Sequence, residues 1–223
     1  MNVSRVTRLT TVAAWACALS VLVPPLVAQN YELADFLMER DSELALARTG
    51  GPEAITGGAT YYVLTKTGYQ RVLEGDNGFH CFVERSWGAP VARDPYPFDP
   101  RVRAPHCINS VGAASTMEEI FMVAELAMQG LPQATIQDRI DEAYESGALR
   151  LPDGLSLTYM MSAHQWLGEN VGAWRPHLML WIPHLTREEV GANPFGGPNA
   201  VVAGAAGSRR SVLIVPLVEW IGE

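Results

Sequence analysis

A run of strand-type residues with a cysteine near its centre, 78–87, constrains the fold of this chain most. It follows a turn-forming Asn-Gly pair and leads into a proline-rich stretch that ends at a second cysteine, Cys107. Successive side chains of a strand point to opposite faces, so Cys81 and Arg85 share one face and His80 takes the other. The run predicts the central strand of a small α+β domain.

The first 28 residues have the order of a secretory signal peptide. Arg5 and Arg8 precede an apolar segment, 12–23, which two prolines end, and Ala28 supplies a small residue for cleavage. A spanning helix needs about 20 continuous apolar residues, so this run is short for a membrane anchor, which is the alternative. The sequence predicts cleavage after Ala28 and a secreted or periplasmic protein without a stable membrane anchor.

Removal of this segment leaves 223 − 28 = 195 residues and makes the chain more acidic. The formal net charge of −8 becomes −10, because the segment contains two arginines and no acidic residue. Such a chain repels phosphate backbones and anionic lipid surfaces. We therefore expect no nucleic-acid partner, and no motif in the sequence predicts a cofactor.

The two cysteines of the mature chain, Cys81 and Cys107, predict one disulfide. The third cysteine, Cys17, leaves with the signal peptide, and exported proteins fold in an oxidising environment. The pair is 107 − 81 = 26 positions apart, and a disulfide across such a loop contributes about 3–4 kcal/mol in the chain-entropy model. Two free buried thiols are the alternative.

The N-terminal part predicts a leading helix and then a β-meander. Apolar residues recur at helical spacing through 31–48, within the leading segment 29–52. Two strand-type runs fall within 59–74, separated by a Lys-Thr-Gly turn. Asn77–Gly78 is a strong hairpin signal, because both residues tolerate positive φ. We therefore expect the strand at 79–87 to continue the meander.

The remainder predicts two central helices between strands. The prolines of 89–105 indicate an irregular loop, and a Ser-x-x-Glu capping box at Ser115 begins the first helix. Strands before and after the helices predict a single α+β domain, 53–223, whose mainly antiparallel sheet carries both helices on one face, plus the N-terminal helix. The expected elements are helices at 115–129 and 134–146 and strands at 155–163, 177–182, 200–202 and 211–215.

Three histidines are candidates for catalysis, although none lies in a known metal or nucleophile motif. His164 follows one predicted strand and His177 begins the next, so a hairpin would bring both imidazoles to one end of the sheet. His106 and the acids Asp94 and Asp99 of the proline-rich loop could join them in a hydrolytic or metal-dependent site. The alternative is an ordinary histidine at each strand end.

Methionines around the same two histidines suggest copper as a further alternative. Met160 and Met161 precede His164, and Met179 shares a strand face with His177. Thioether and imidazole ligands suit copper in an oxidising compartment. Methionine also fills gaps in apolar cores, and that interpretation needs no metal.

Aromatic residues near the loops are candidates for a ligand groove. Trp87, Tyr96, Trp166 and Trp174 all lie in or beside predicted loops, and ligand pockets are commonly lined by aromatic side chains. The alternative is the edge of a tryptophan-rich core.

Three short blocks resemble recurring blocks of exported bacterial proteins of unknown function. They are Tyr-Met-Met-Ser at 159–162, Pro-His-Leu-Met at 176–179 and Gly-Phe-His-Cys at 78–81. The resemblance implies export and a single domain and carries over no activity. We therefore expect an exported binding or accessory protein without catalysis. The alternative is a hydrolase or metal-dependent enzyme that uses His164 and His177.

Overall fold

The computed structural model describes residues 31–88, 98–169, 171–191 and 202–222 and has an α+β fold. The predicted signal peptide and most of the proline-rich stretch lie outside the described residues. Within those ranges, no helix is long and apolar enough to cross a membrane.

One mostly antiparallel sheet forms the centre of the fold. Its strands are β1 (Thr60–Thr65), β2 (Gly68–Leu73), β3 (His80–Glu84), β4 (Ala104–Ile108), β5 (Ser156–Met160), β6 (His177–Trp181), β7 (Val202–Gly204) and β8 (Val212–Pro216). Their spatial order is β2-β1-β3-β4-β5-β6-β8-β7. Neighbouring strands are antiparallel except β1 and β3, which are parallel.

Six α-helices accompany the sheet in the described part of the chain. They are α1 (Arg40–Ala47), α2 (Glu53–Thr56), α3 (Ser110–Ala113), α4 (Thr116–Met128), α5 (Gln133–Glu145) and α6 (Arg187–Val190). The two long ones, α4 and α5, lie close to the predicted positions. The predicted capping box of α4 is wrong: the Ser115 hydroxyl donates to the carbonyl of Val111 at 2.7 Å instead.

The helices cover both faces of the sheet. On one face, Cys81 packs with Ala47 of α1. On the other, Phe82 packs with Met117 and Ile120 of α4. Because neighbouring side chains of β3 alternate between the two faces, this strand contributes to both cores, and α5 packs against α4.

The leading segment differs from the single helix predicted over 31–48. A short 3-10 helix spans Leu33–Phe36, and α1 begins only at Arg40. Leu37 between them is extended, and the Glu39 carboxylate accepts the amide of Ser42 at 2.8 Å, which caps α1. Glu39 therefore caps the start of α1, so the chain begins a new helix there and does not extend the 3-10 helix.

The Asn77–Gly78 turn does not form the predicted hairpin. β3 pairs with β1 in parallel, on the side of β1 opposite β2, so the predicted meander is wrong at this step. The turn is instead held by side chains, since the Asn77 amide donates to the carbonyl of Ile55 at 2.6 Å. Gly78 adopts a φ of 76°, which is the conformation that the sequence suggested.

A strand that the sequence did not predict, β4, begins at the end of the proline-rich stretch. Pro105 lies opposite Val83 of β3 in this strand. The ladder between β4 and β5 covers only Cys107 and Ile108, so Pro105 lies beyond its end, where a missing amide hydrogen removes no bond from it. The predicted irregular stretch therefore ends before Ala104, where β4 begins, and not at Pro105.

The two cysteines lie directly opposite each other on β3 and β4. The Sγ atoms of Cys81 and Cys107 are 2.06 Å apart, which is a disulfide bond. Both residues are fully buried and pack under α1. The bond therefore joins two central strands at the centre of one core.

A buried ion pair ties the leading segment to the sheet. Arg85 directly follows β3, and its Nη2 lies 2.9 Å from Glu43 Oε1 of α1, with both side chains fully buried. The Arg85 Nε donates to the carbonyl of Phe36 at 2.8 Å. Glu43 Oε1 also accepts the amide of Leu64 at 3.1 Å. One guanidinium thus connects the 3-10 helix, α1 and the sheet.

The residues after α1 contact the end of β5. The amide of Met161 donates to the carbonyl of Gly50 at 3.1 Å, and the hydroxyl groups of Thr49 and Ser162 are 2.6 Å apart. Position 50 favours glycine, because the Cβ of any other residue would lie only 3.3 Å from the Sγ of Cys107. The leading segment therefore contacts both β4 and the residues that follow β5.

Candidate ligand-binding site

A cleft of about 550 Å³ lies between α4, α5 and the turn that joins β7 to β8. Its apolar side consists of Trp87, Phe98, Val123, Ile136 and Ile140. The rings of Trp87 and Phe98 are 6.0 Å apart and nearly perpendicular. The volume falls within the range of small-molecule sites, which combine an apolar lining with a few polar groups.

The polar side of the cleft is a network of charged groups. The Arg209 guanidinium pairs with Asp141 of α5 and lies 4.6 Å from the centre of the Tyr144 ring. The Tyr144 hydroxyl donates to Glu119 Oε2 at 2.7 Å, and Arg210 Nε lies 2.8 Å from Glu119 Oε1. Each guanidinium therefore has a carboxylate partner, so the net charge of this wall is small.

A tight turn positions the two arginines. Ala205 has a φ of 45°, and its carbonyl accepts the hydroxyls of Ser208 and Ser211 at 2.7 and 3.0 Å. Ser208 Oγ also accepts the amide of Arg210 at 3.1 Å. The serine side chains add to the backbone bonds of the turn, in which the amide of Ser208 donates to the carbonyl of Ala205 at 3.1 Å. This arrangement directs Arg209 and Arg210 to the cleft.

Close to this network lies a buried pair of an acid and an imidazole. Glu84 Oε2 is 3.1 Å from His106 Nε2. Burial raises the pKa of Glu84 to about 8. Burial, with a smaller effect of His177, lowers the pKa of His106 to about 3. At neutral pH the pair is thus mainly a carboxyl group and a neutral imidazole, since desolvation disfavours both charged forms.

The two histidines of the predicted catalytic pair have different surroundings. His164 is exposed and lies beside Gly222. His177 is buried, and its Nδ1 is 2.6 Å from the carbonyl of Arg175. Burial lowers the pKa of His177 to about 4. No hydrogen bond joins the two rings within the described ranges, and His106, the third candidate, pairs with Glu84. A catalytic role for these histidines stays a prediction.

The predicted aromatic groove is divided among different places. Trp87 lines the cleft, whereas Tyr96 lies outside the described residues, as does the loop acid Asp94. The carbonyl of Trp166 accepts the amide of Arg103 at 2.8 Å. Trp174 packs against His177 with ring centres 4.7 Å apart.

The remaining candidates are the second loop acid and the methionines. Asp99 pairs with Arg101 at 2.8 Å, outside the cleft lining. Met160 and Met179 belong to one buried apolar cluster. Met161 directly follows the end of β5. Among the residues that the structure describes, no three His, Cys, Asp or Glu side chains converge on a point that could hold a metal.

The charged residues of the cleft were not singled out from the sequence, although two signals were present. Glu119 lies between Met117 and Ile120 in an apolar helix face and is buried, and an acid in that position needs a partner. Arg209 and Arg210 interrupt a Gly/Ala/Ser-rich segment. Only the tertiary fold brings these signals together.

No family model matches the chain, and no curated protein or solved structure matches it. The resemblance of three short blocks to exported bacterial proteins therefore stays a prediction. What the chain binds has to be argued from its own residues.

Proposed function

We propose that this chain is an exported binding or accessory protein that holds a small organic molecule in the cleft, without catalysis. The observation that carries the proposal is the cleft itself, with an apolar aromatic side and a polar side of paired charges. Such a lining suits a ligand with an apolar body and one or two polar groups.

The charge of the cleft narrows the class of ligand. Arg209 and Arg210 already have Asp141 and Glu119 as partners, and the whole chain is acidic. A polyanionic ligand would meet repulsion from the chain and would have to displace two ion pairs. An uncharged or zwitterionic molecule avoids both costs.

The arrangement of the helices supports a preformed cleft. We infer that α4 and α5 cover the same face of the sheet, as the sequence predicts, because α4 packs on that face and α5 packs on α4. Ile136 and Ile140 of α5 belong to the same core cluster as Val123 of α4. One wall of the cleft is therefore part of a packed core, which favours binding without rearrangement.

Filling the mouth of the cleft should abolish binding. Gln137 is exposed on α5 and lines the cleft, so Gln137→Trp should obstruct it with little effect on the core. We expect the uncharged aromatic probe N-phenyl-1-naphthylamine to bind wild-type protein saturably, with one site per chain. In the variant its affinity should fall by at least about 10-fold, or 1.4 kcal/mol.

The matched control is Gln129→Trp, an equal change at an exposed position that does not line the cleft. It should bind the probe as wild type does. Equal loss of binding in both variants, or no saturable binding to the wild type, would show that the cleft is not the site.

Export should be visible in the N-terminus of the mature protein. Expression of all 223 residues in a bacterial host should give protein in the periplasmic fraction that begins near Gln29, by intact mass. The disulfide supports this proposal, because structural disulfides persist in oxidising compartments. Recovery of chains that still begin at Met1 in the membrane fraction would contradict it.

A further inference from the structure

Four buried side chains with nitrogen or sulfur donors lie on one face of three neighbouring strands. Met160 of β5 is directly opposite His177 of β6. Met179 also belongs to β6, two residues after His177, so its side chain lies on the same face. The ladder between β4 and β5 pairs Cys107 with Tyr159, and the position one residue beyond its paired part would set His106 beside Met160. Opposite residues on one face have Cβ atoms about 5 Å apart, so we infer that Met160 lies between the two imidazoles.

These four side chains are closed off from solvent. Their exposed fractions are 2% for His106, 3% for His177, 4% for Met160 and 5% for Met179. Leu167, from the connection between β5 and β6, packs against the cluster that contains both methionines. Buried imidazole nitrogens normally have partners, so the partners of each ring decide what the cluster can do.

Each ring keeps at least one nitrogen that could bind a further partner. The carbonyl of Arg175 lies 2.6 Å from His177 Nδ1, so this nitrogen donates its hydrogen and Nε2 carries the lone pair. A Glu84 oxygen lies 3.1 Å from His106 Nε2, but neither nitrogen of the buried His106 ring has a hydrogen-bond partner among the described residues. The carbonyl beside His177 Nδ1 is the kind of outer oxygen that orients a metal-ligating histidine, and the His106 ring has nitrogens left without a hydrogen bond.

We propose that His106, Met160, His177 and Met179 form a binding site for Cu(I). Thioether sulfur selects soft cations and imidazole binds copper readily, whereas magnesium and calcium take oxygen ligands. The site differs from the set that the sequence suggested, because His106 from the neighbouring strand replaces the exposed His164. It lies apart from the cleft and does not depend on the ligand proposed there.

The test is a titration of the mature protein with Cu(I), kept reduced by ascorbate, in competition with the chelator bicinchoninate. Wild-type protein should take one Cu(I) per chain from the chelator. Met160→Leu with Met179→Leu should weaken binding by more than about 10-fold, because it removes two ligands and the loss of a mere supporting group already costs about 10–100-fold. X-ray absorption of the loaded wild type should show both sulfur and nitrogen ligands.

The matched control is Met117→Leu with Met128→Leu, an equal change in two other buried clusters. It should leave Cu(I) affinity unchanged, and so should His164→Ala. Because leucine and methionine have similar volumes, both double variants should melt close to wild type without metal.

Three results would overturn the proposal. They are failure of wild-type protein to compete with the chelator, full affinity in the Met160/Met179 variant, and an absorption spectrum without sulfur ligands. The spectrum needs no variant, so it decides the question even where a substitution impairs folding.

Discussion

Replacing Arg85 with methionine should lower the free energy of unfolding by about 3–5 kcal/mol, the cost of breaking a buried ion pair. The substitution leaves the Glu43 carboxylate buried without its partner. It also removes the donor to the carbonyl of Phe36, and each buried group left unsatisfied costs about 1–3 kcal/mol. Urea denaturation of the oxidised protein, followed by tryptophan fluorescence, measures the change.

The chain contains a matched control for this prediction. Arg139 pairs with Glu142 at 3.0 Å, nearly the same distance, but with more than half of each side chain exposed. Arg139→Met should therefore change the free energy of unfolding by at most about 1 kcal/mol. If Arg85→Met proves as mild as Arg139→Met, the buried pair does not hold the leading segment in place.

Removing both cysteines, Cys81→Ala with Cys107→Ala, should lower the free energy of unfolding by about 3–4 kcal/mol under oxidising conditions. The bond closes a loop of 26 residues and restricts the unfolded chain. Alanine avoids placing a new hydroxyl group in a fully buried position. Thermal and urea denaturation with and without a reductant measure the effect.

Reduced wild-type protein supplies the comparison. The reductant should lower its stability toward that of the double variant, and the variant should be insensitive to the reductant. A wild type whose unfolding is unchanged by complete reduction, verified by thiol titration, would show that the bond contributes no stability.

Local signals in the sequence identified most elements of the fold but not all of their neighbours. The spacing of apolar residues places α4 and α5 well, because each signal lies within one helix. Gly78 has the positive φ that the Asn-Gly pair tolerates, but Asn77 does not, and the predicted hairpin is absent. The partner of β3 was not predictable in this way, since a parallel neighbour is set by contacts distant in sequence.

The same limit applies to the candidate site. The disulfide was predictable because Cys81 and Cys107 are the only cysteines outside the predicted signal peptide. The network of Glu119, Tyr144 and Arg210 joins α4, α5 and the turn before β8, and no local pattern connects them. The histidine pair was proposed from strand ends alone, and strand ends do not determine which face each side chain occupies.

The attachment of the leading segment to residues 161 and 162 bears on the order in which the chain acquires its structure. Thr49 and Ser162 are separated by 113 positions, and Gly50 and its partner Met161 by 161 − 50 = 111 positions. A chain that crosses a membrane from its N-terminus would deliver Thr49 long before Ser162. If the chain is exported as proposed, its early part should therefore stay unstructured, and open to proteases and chaperones, until most of the chain has been translocated. Contacts of such long range also slow folding.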